Sequence, residues 1–346
     1  MRVLKTEIKI AIVSLFVVAI IMIGAVYIYT IDSGRYSSDA SVNDGVLGYS
    51  VSATDNKEFS VTVFTSMVEM TDLYIYYDET YASEYEEPTV AVGAMPLTQE
   101  YYINQLKSVL DCRGIKEAIE LNASELAEAM NSDVKDGQFN KGLVVISGAL
   151  PDTIYAGDGH DLIFQWLNNG GRLYWAGNLI GKYIASPDGI TEAGDDYQEL
   201  FFGTECLNTG DLDIAYLDVK DNGFQSALSI MNNNIKYGVD ATKLSDAIPI
   251  GYTEGDYSSI VLSKYGDGMI CVFGGEYSNN QRTDLAQIIA SNISYSSEMI
   301  DCVKGNVKGG TQISSIDLAG VSGDISVYIY MGGYYTVYGK SYSFTV

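Results

Sequence analysis

Residues Ile10 to Ile31 carry no charge and are almost all apolar. At a helical rise of about 1.5 Å per residue the run spans roughly 33 Å, which fits a bilayer core of about 30 Å. Arg2, Lys5 and Lys9 precede it, and Asp32 and Asp39 follow it. The positive-inside rule predicts a single-pass cell-membrane anchor, with a cytoplasmic tail over 1–9 and an extracytoplasmic C-terminal part. A cleaved signal peptide is the alternative, although the run is longer than the usual apolar region of about 7–15 residues and no A-x-A site follows. No second run of this length occurs, so everything after it must fold around its own core.

That remainder is acidic. The chain of 346 residues holds 45 Asp and Glu against 20 Lys and Arg, a net charge of −25, which argues against nucleic acid as a partner because phosphate binding needs clustered Lys and Arg. Residues 32–58 are rich in Ser, Asp, Asn and Gly and read as a linker. Phe59, Val61 and Val63 alternate with polar positions as a strand does, and Leu73–Tyr77 is a second β-rich run. From 89 onward β and α patterns alternate. Thr98 is placed to cap a helix carrying Tyr102, Leu106, Val109 and Leu110; Leu143–Ser147 is a continuous apolar strand; Asp158 is placed to cap a helix carrying Leu162, Ile163, Trp166 and Leu167; and Leu173–Ala176 is a further strand. This alternation predicts a parallel sheet flanked by helices over 89–300, with an acidic insertion at 182–245. Tyr265-Gly-Asp-Gly268 marks a hairpin. Alternating runs after 325, rich in Tyr328, Tyr330, Tyr334, Tyr335, Tyr338 and Tyr342, predict a small antiparallel β module formed by 311–346 with 59–80.

Two stretches, Gly142-Leu-Val-Val-Ile-Ser-Gly-Ala-Leu-Pro151 and Trp166-Leu-Asn-Asn-Gly-Gly-Arg-Leu-Tyr-Trp-Ala-Gly177, resemble the core of class I glutamine amidotransferase-like domains, and Lys264–Gly275 is similar to that family's later elements. The resemblance covers about 89–181 and 246–292. It implies a Rossmann-like, flavodoxin-like α/β domain with a nucleophile elbow after the Leu173–Ala176 strand. There the sequence reads Gly177-Asn-Leu-Ile-Gly181. Leu179 stands where the family places Cys, and the sole histidine, His160, precedes the strand. A nucleophile needs a base within hydrogen-bond reach. The expectation is therefore a degenerate, non-catalytic domain that binds a protein or glycan partner.

Two alternatives stay open, an ectoenzyme hydrolysing glycans through paired carboxylates and an oligomeric structural envelope protein. Ligands of open α/β sheets collect at strand carboxyl ends, which makes Trp175, Gly177, Asn178, Asp152 and His160 the candidate binding residues. No catalytic residue, metal ligand or resident cofactor is assigned. Ca²⁺ is entertained for the carboxylates of Asp188–Asp196, Asp211 with Asp213, and Asp218 with Asp221, none of which has EF-hand spacing. Cys112, Cys206 and Cys302 are disulfide candidates and Cys271 reads as a buried free thiol. Asn122 and Asn292 match the glycosylation pattern.

Overall fold

The computed structural model describes residues 35–66, 69–81, 91–92, 95–96, 99–115, 117–137, 140–177, 179–208, 223–230, 237–251, 253–274, 279–333 and 336–346. Its first strands are β1 (Tyr36–Asn43) and β2 (Val46–Thr65). They are joined by Asp44-Gly45 with φ of 50° and 74°, the two left-handed residues that a tight hairpin turn requires. The 32–58 stretch is therefore not a linker. Its short polar residues occupy the outer face of a hairpin, while Tyr36, Leu47, Tyr49, Val51 and Ala53 point into a core.

Next come β3 (Leu73–Tyr76), α1 (Gln99–Asp111), β4 (Ala118–Leu121), α2 (Ala123–Asp136), β5 (Gly142–Val145), the short β6 (Leu150–Pro151), α3 (Leu162–Asn168) and β7 (Arg172–Gly177). Asn122 and Glu125 form a reciprocal capping box at the start of α2, and Gly137 ends that helix in the left-handed region. Asp161, not Asp158, stands at the N-cap position of α3. Its carboxylate accepts from the Ala156 and Asp158 amides of the preceding loop rather than from the helix. A hairpin of β8 (Tyr183–Ser186) and β9 (Gly189–Glu192) follows, then α4 (Tyr197–Phe202), α5 (Phe224–Ala227), β10 (Ala247–Pro249), β11 (Ile260–Tyr265), β12 (Gly268–Gly274) and α6 (Asn279–Ser291). The chain closes on β13 (Met299–Asp317), β14 (Asp324–Gly333) and β15 (Thr336–Thr345). Further two- and three-residue strands, unnumbered, lie at 91–96 and between 207 and 258.

Seven strands form a mixed sheet in the order β10-β11-β12-β7-β5-β3-β4. The run from β12 to β4 is parallel, and β10 and β11 add antiparallel strands at one edge. Leu73, Ile75, Val144, Tyr174 and Cys271 pack with α1 and α6; Tyr74, Tyr76, Leu143, Val145 and Trp175 pack with α2 and α3 on the opposite face. A second sheet runs β1-β2-β14-β15, with β13 along the other side of β2. Its own core holds Phe59, Val61, Val63, Val307, Val327 and Ile329. Side chains on the reverse of β2 and β14 face the mixed sheet. Phe64 meets Phe224 edge-on, and Tyr328 donates to Gln287 of α6 at 2.8 Å, beside the buried Arg113.

The expected Rossmann-like, flavodoxin-like parallel sheet with a small antiparallel module is thereby corrected. The large sheet is mixed, and eleven of the sixteen described strand pairings are antiparallel. The second sheet is not small, since β2 and β13 are 20 and 19 residues long. The 59–80 segment does not stay together, because β3 leaves β2's sheet and pairs β4 and β5. The segment expected to span the membrane, 10–31, lies outside the described residues, and no helix among the described residues is long and apolar enough to cross a membrane.

Candidate functional site

The loop after β3 turns on Asp78. One carboxylate oxygen accepts from the Thr80 amide at 2.9 Å and the Thr80 hydroxyl at 2.6 Å, and the other accepts from the Ala123 amide at 3.0 Å. The carboxylate thus folds its own loop and pins it to the first turn of α2. Burial pushes its pKa up, but these hydrogen bonds more than offset that and hold it below the ordinary carboxylate range.

The turn presents Tyr81, whose hydroxyl donates to Asp152 at 2.9 Å. Burial, then the hydrogen bond to Asp152 and its negative charge, push the Tyr81 hydroxyl up to about 12, so it stays a neutral donor at physiological pH. Asp152 follows β6, and its amide donates to Ala185 of β8 at 2.9 Å. This parallel β6–β8 pairing carries the β8–β9 turn to the same edge of the molecule. A cavity of about 370 Å³ lies between them, with Glu79, Thr80 and Tyr81 on one side and Pro187–Ile190 on the other. Two carboxylates, Glu79 and Asp188, line it beside a tyrosine.

Next to this cleft the strand ends are shut. Gly177 at the end of β7 has φ of 145°, and a Cβ there would stand 3.0 Å from the Gly148 Cα. Ile180 is buried, the Phe201 ring lies against Gly181, and Tyr155 donates to the Gly181 carbonyl at 2.8 Å. Leu179, the position where an elbow would place its nucleophile, is half-buried and packs against the α2 and α3 side of the sheet.

The sequence candidates separate accordingly. Asp152 stands at the cleft through Tyr81. Trp175 is fully buried against the α2 and α3 side of the sheet and Gly177 is closed off, so neither is available to a ligand. Asn178 lies outside the described residues. His160 is exposed on the loop before α3, where its amide donates to Asp158 at 2.8 Å and its carbonyl accepts from Gln165, apart from the cleft lining. Glu79, Thr80 and Tyr81 were not singled out by sequence reasoning. The Asp78-x-Thr80 pattern is the local signal of a side-chain-folded turn that marked this place.

Among the described residues no group of three or more His, Cys, Asp or Glu is placed to hold a metal ion, and the Asp211–Asp221 stretch lies outside them. None of the four cysteines is in a disulfide, so the expected bridges among Cys112, Cys206 and Cys302 are absent; Cys206 and Cys271 are buried. Asn292 is no glycosylation site in the folded chain. It is 7% exposed, its carboxamide oxygen accepts from Arg172, and its amide donates to Ser66. Asn122 spends its side-chain oxygen on the Glu125 amide and the Ser124 hydroxyl at the start of α2.

No family model matches the chain, and no curated protein sequence does. The solved structure of exo-beta-1,4-mannosidase Op5Man5 from Opitutaceae bacterium strain TAV5 is similar over 66% of this chain at 11% identity, with a TM-score of 0.36. The chain spans about a third of that structure, 35% of its length, and nothing about function follows from a likeness of this degree.

Proposed function

We propose that this chain is a non-catalytic binding protein that holds a neutral glycan in the cleft between the Tyr81 loop and the β8–β9 turn. The observation that carries the reading is the lining itself, which brings Tyr81 together with the acidic residues Glu79 and Asp188. Carboxylates accept hydrogen bonds from sugar hydroxyls, and an aromatic ring offers a face to the C–H side of a pyranose. Two negative charges in the lining disfavour anionic ligands. The lack of a nucleophile between Ala176 and Gly181, at a strand end filled by Gly148 and Phe201, supports a binding role over acyl-transfer chemistry.

Isothermal titration of the full chain with uncharged oligosaccharides tests this. The reading expects saturable binding that weakens at least about tenfold in Tyr81→Ala and in Asp188→Ala, a loss of about 1.4 kcal/mol. Absence of binding across the uncharged oligosaccharides, or binding indifferent to both substitutions, overturns it. A carboxylate-dependent glycan hydrolase is the second reading, favoured by the same Glu79 and Asp188 facing one cleft. It expects release of reducing ends that stops in Glu79→Gln.

A further inference from the structure

Arg113, just past the end of α1, is 3% exposed, yet it makes no ion pair among the described residues, not even with the buried Asp284 of α6. Its Nε donates to Gln287 Oε1 of α6 at 3.0 Å, and its Nη1 donates to the Val109 carbonyl in the last turn of α1 at 3.0 Å. The second bond sets the cation against a helix C-terminus, worth about half a negative charge. A guanidinium cannot shed its proton to escape burial, so the rest of the positive charge stays. Two donors beside it are left over. Arg113 Nη2 and Gln287 Nε2 are both buried and have no hydrogen-bond partner among the described residues. Nη2 lies on the same edge of the guanidinium as Nε, and Nε2 shares its carboxamide with Oε1, so both adjoin the Arg113–Gln287 hydrogen bond. Gln287 Oε1 is already spent, since it also accepts from the Tyr328 hydroxyl of β14 at 2.8 Å. Gly339 of β15 closes another side of the cluster, where a Cβ would stand 3.1 Å from Arg113 Cγ.

We propose that Arg113 Nη2 and Gln287 Nε2 hold a small monovalent anion, chloride in ordinary media. One negative charge matches one guanidinium, and an ion without hydrogens accepts from both nitrogens at once. A water in its place would neutralise nothing and would bring two more hydrogens into a cluster of donors. An anion of phosphate size would bring more oxygens than two donors serve. The anion ties the end of α1 to α6 and, through Gln287 and Tyr328, to β14, so it strengthens the contact between the mixed sheet's helices and the antiparallel sheet. The inference is independent of the glycan reading, since none of these residues lines the Tyr81 cleft.

Thermal unfolding of the full chain, kept in solution with a non-ionic detergent because of its apolar 10–31 run, reads the site when chloride replaces gluconate at constant ionic strength. Wild type is expected to unfold about 2–4 °C higher in chloride, because a ligand that binds only the folded chain stabilises it. Gln287→Glu builds the negative charge into the protein, keeps an acceptor for Arg113 and Tyr328, and removes the Nε2 donor. It is expected to fold and to unfold at the same temperature in both salts. Wild-type crystals grown in bromide need no variant, and are expected to show anomalous scattering beside Arg113 Nη2. A wild-type chain that unfolds at one temperature in both salts, a chloride shift that survives in Gln287→Glu, or density beside Nη2 without anomalous signal, as a water gives, overturns the proposal.

Discussion

Asp133 accepts a 2.8 Å hydrogen bond from the Lys141 ammonium while its other oxygen accepts from the Trp166 indole at 3.1 Å. Tyr74 completes the group, accepting from Lys141 at 2.9 Å and donating to Asp133. The carboxylate is 4% exposed and the lysine 12%, so this is an ion pair inside the packing of α2 against the mixed sheet. Burial pulls the Lys141 pKa down, but the hydrogen bonds to Asp133 and Tyr74 more than offset that and hold it above the ordinary lysine value. Replacing Asp133 leaves the Lys141 ammonium its longer contact to Asp72 at 3.4 Å but strips the buried Trp166 indole of its acceptor. Asp133→Ala is therefore expected to cost about 3–5 kcal/mol in urea unfolding, and Asp133→Asn less, since a carboxamide oxygen still accepts from Trp166. Because the lysine's pKa is raised on folding, its share of this stability is full at neutral pH. It fades only as pH climbs past about 10.4, so the gap between wild type and Asp133→Asn is expected to narrow there.

Asp78 has the opposite sign. Its folded pKa lies below the ordinary carboxylate value, so its contribution is present at neutral pH and is lost as pH falls through the lowered value. Urea midpoints measured between pH 6 and pH 2 are expected to fall more steeply in wild type below about pH 4 than in Asp78→Asn. Parallel curves would show that the Thr80 and Ala123 hydrogen bonds carry no charge-dependent stability.

Gly177 and Gly189 both hold backbone angles that side chains rarely adopt, with φ of 145° and 134°. Around a Cβ at Gly189 there is nothing within 4 Å, whereas at Gly177 the Gly148 backbone stands at 3.0 Å. Gly189→Ala is expected to cost about 1–2 kcal/mol from backbone strain alone. Gly177→Ala carries the same strain plus a backbone clash and is expected to cost about 3–4 kcal/mol. Thermal unfolding of the two variants side by side separates these terms.

The four cysteines divide by burial. Burial pushes the Cys206 thiol up to about 12 and raises Cys271 as well, which starves both of thiolate at neutral pH. Cys112 and Cys302 are half-buried. Maleimide labelling of the native chain is expected to modify Cys112 and Cys302 and to reach Cys206 and Cys271 only after unfolding, with peptide mass spectrometry as the readout.

What the sequence by itself determined was local. The hairpin at Gly266-Asp267, the buried runs that became β5, β7 and β12, the apolar face of α1 and the missing nucleophile between Ala176 and Gly181 all depend on residues within a turn or two of one another. Composition misled where two uses share one vocabulary. Ser, Asp, Asn and Gly make a linker, and they also make the outer face of the β1–β2 hairpin, whose Asp44-Gly45 turn was the overlooked signal.

Only the tertiary structure decided which strands became neighbours and which side chains were withdrawn from solvent. β3 left the strand that precedes it for β5, β13 bound β2 across some 240 residues of chain, and Asn292 was taken by Arg172, 120 positions away. Asp78, Tyr81 and Asp152 came together with the β8–β9 turn in the same way. Periodicity fixes which face of an element is apolar, but the choice of what covers that face is made by contacts between segments far apart in the chain, and a single sequence carries no local record of them.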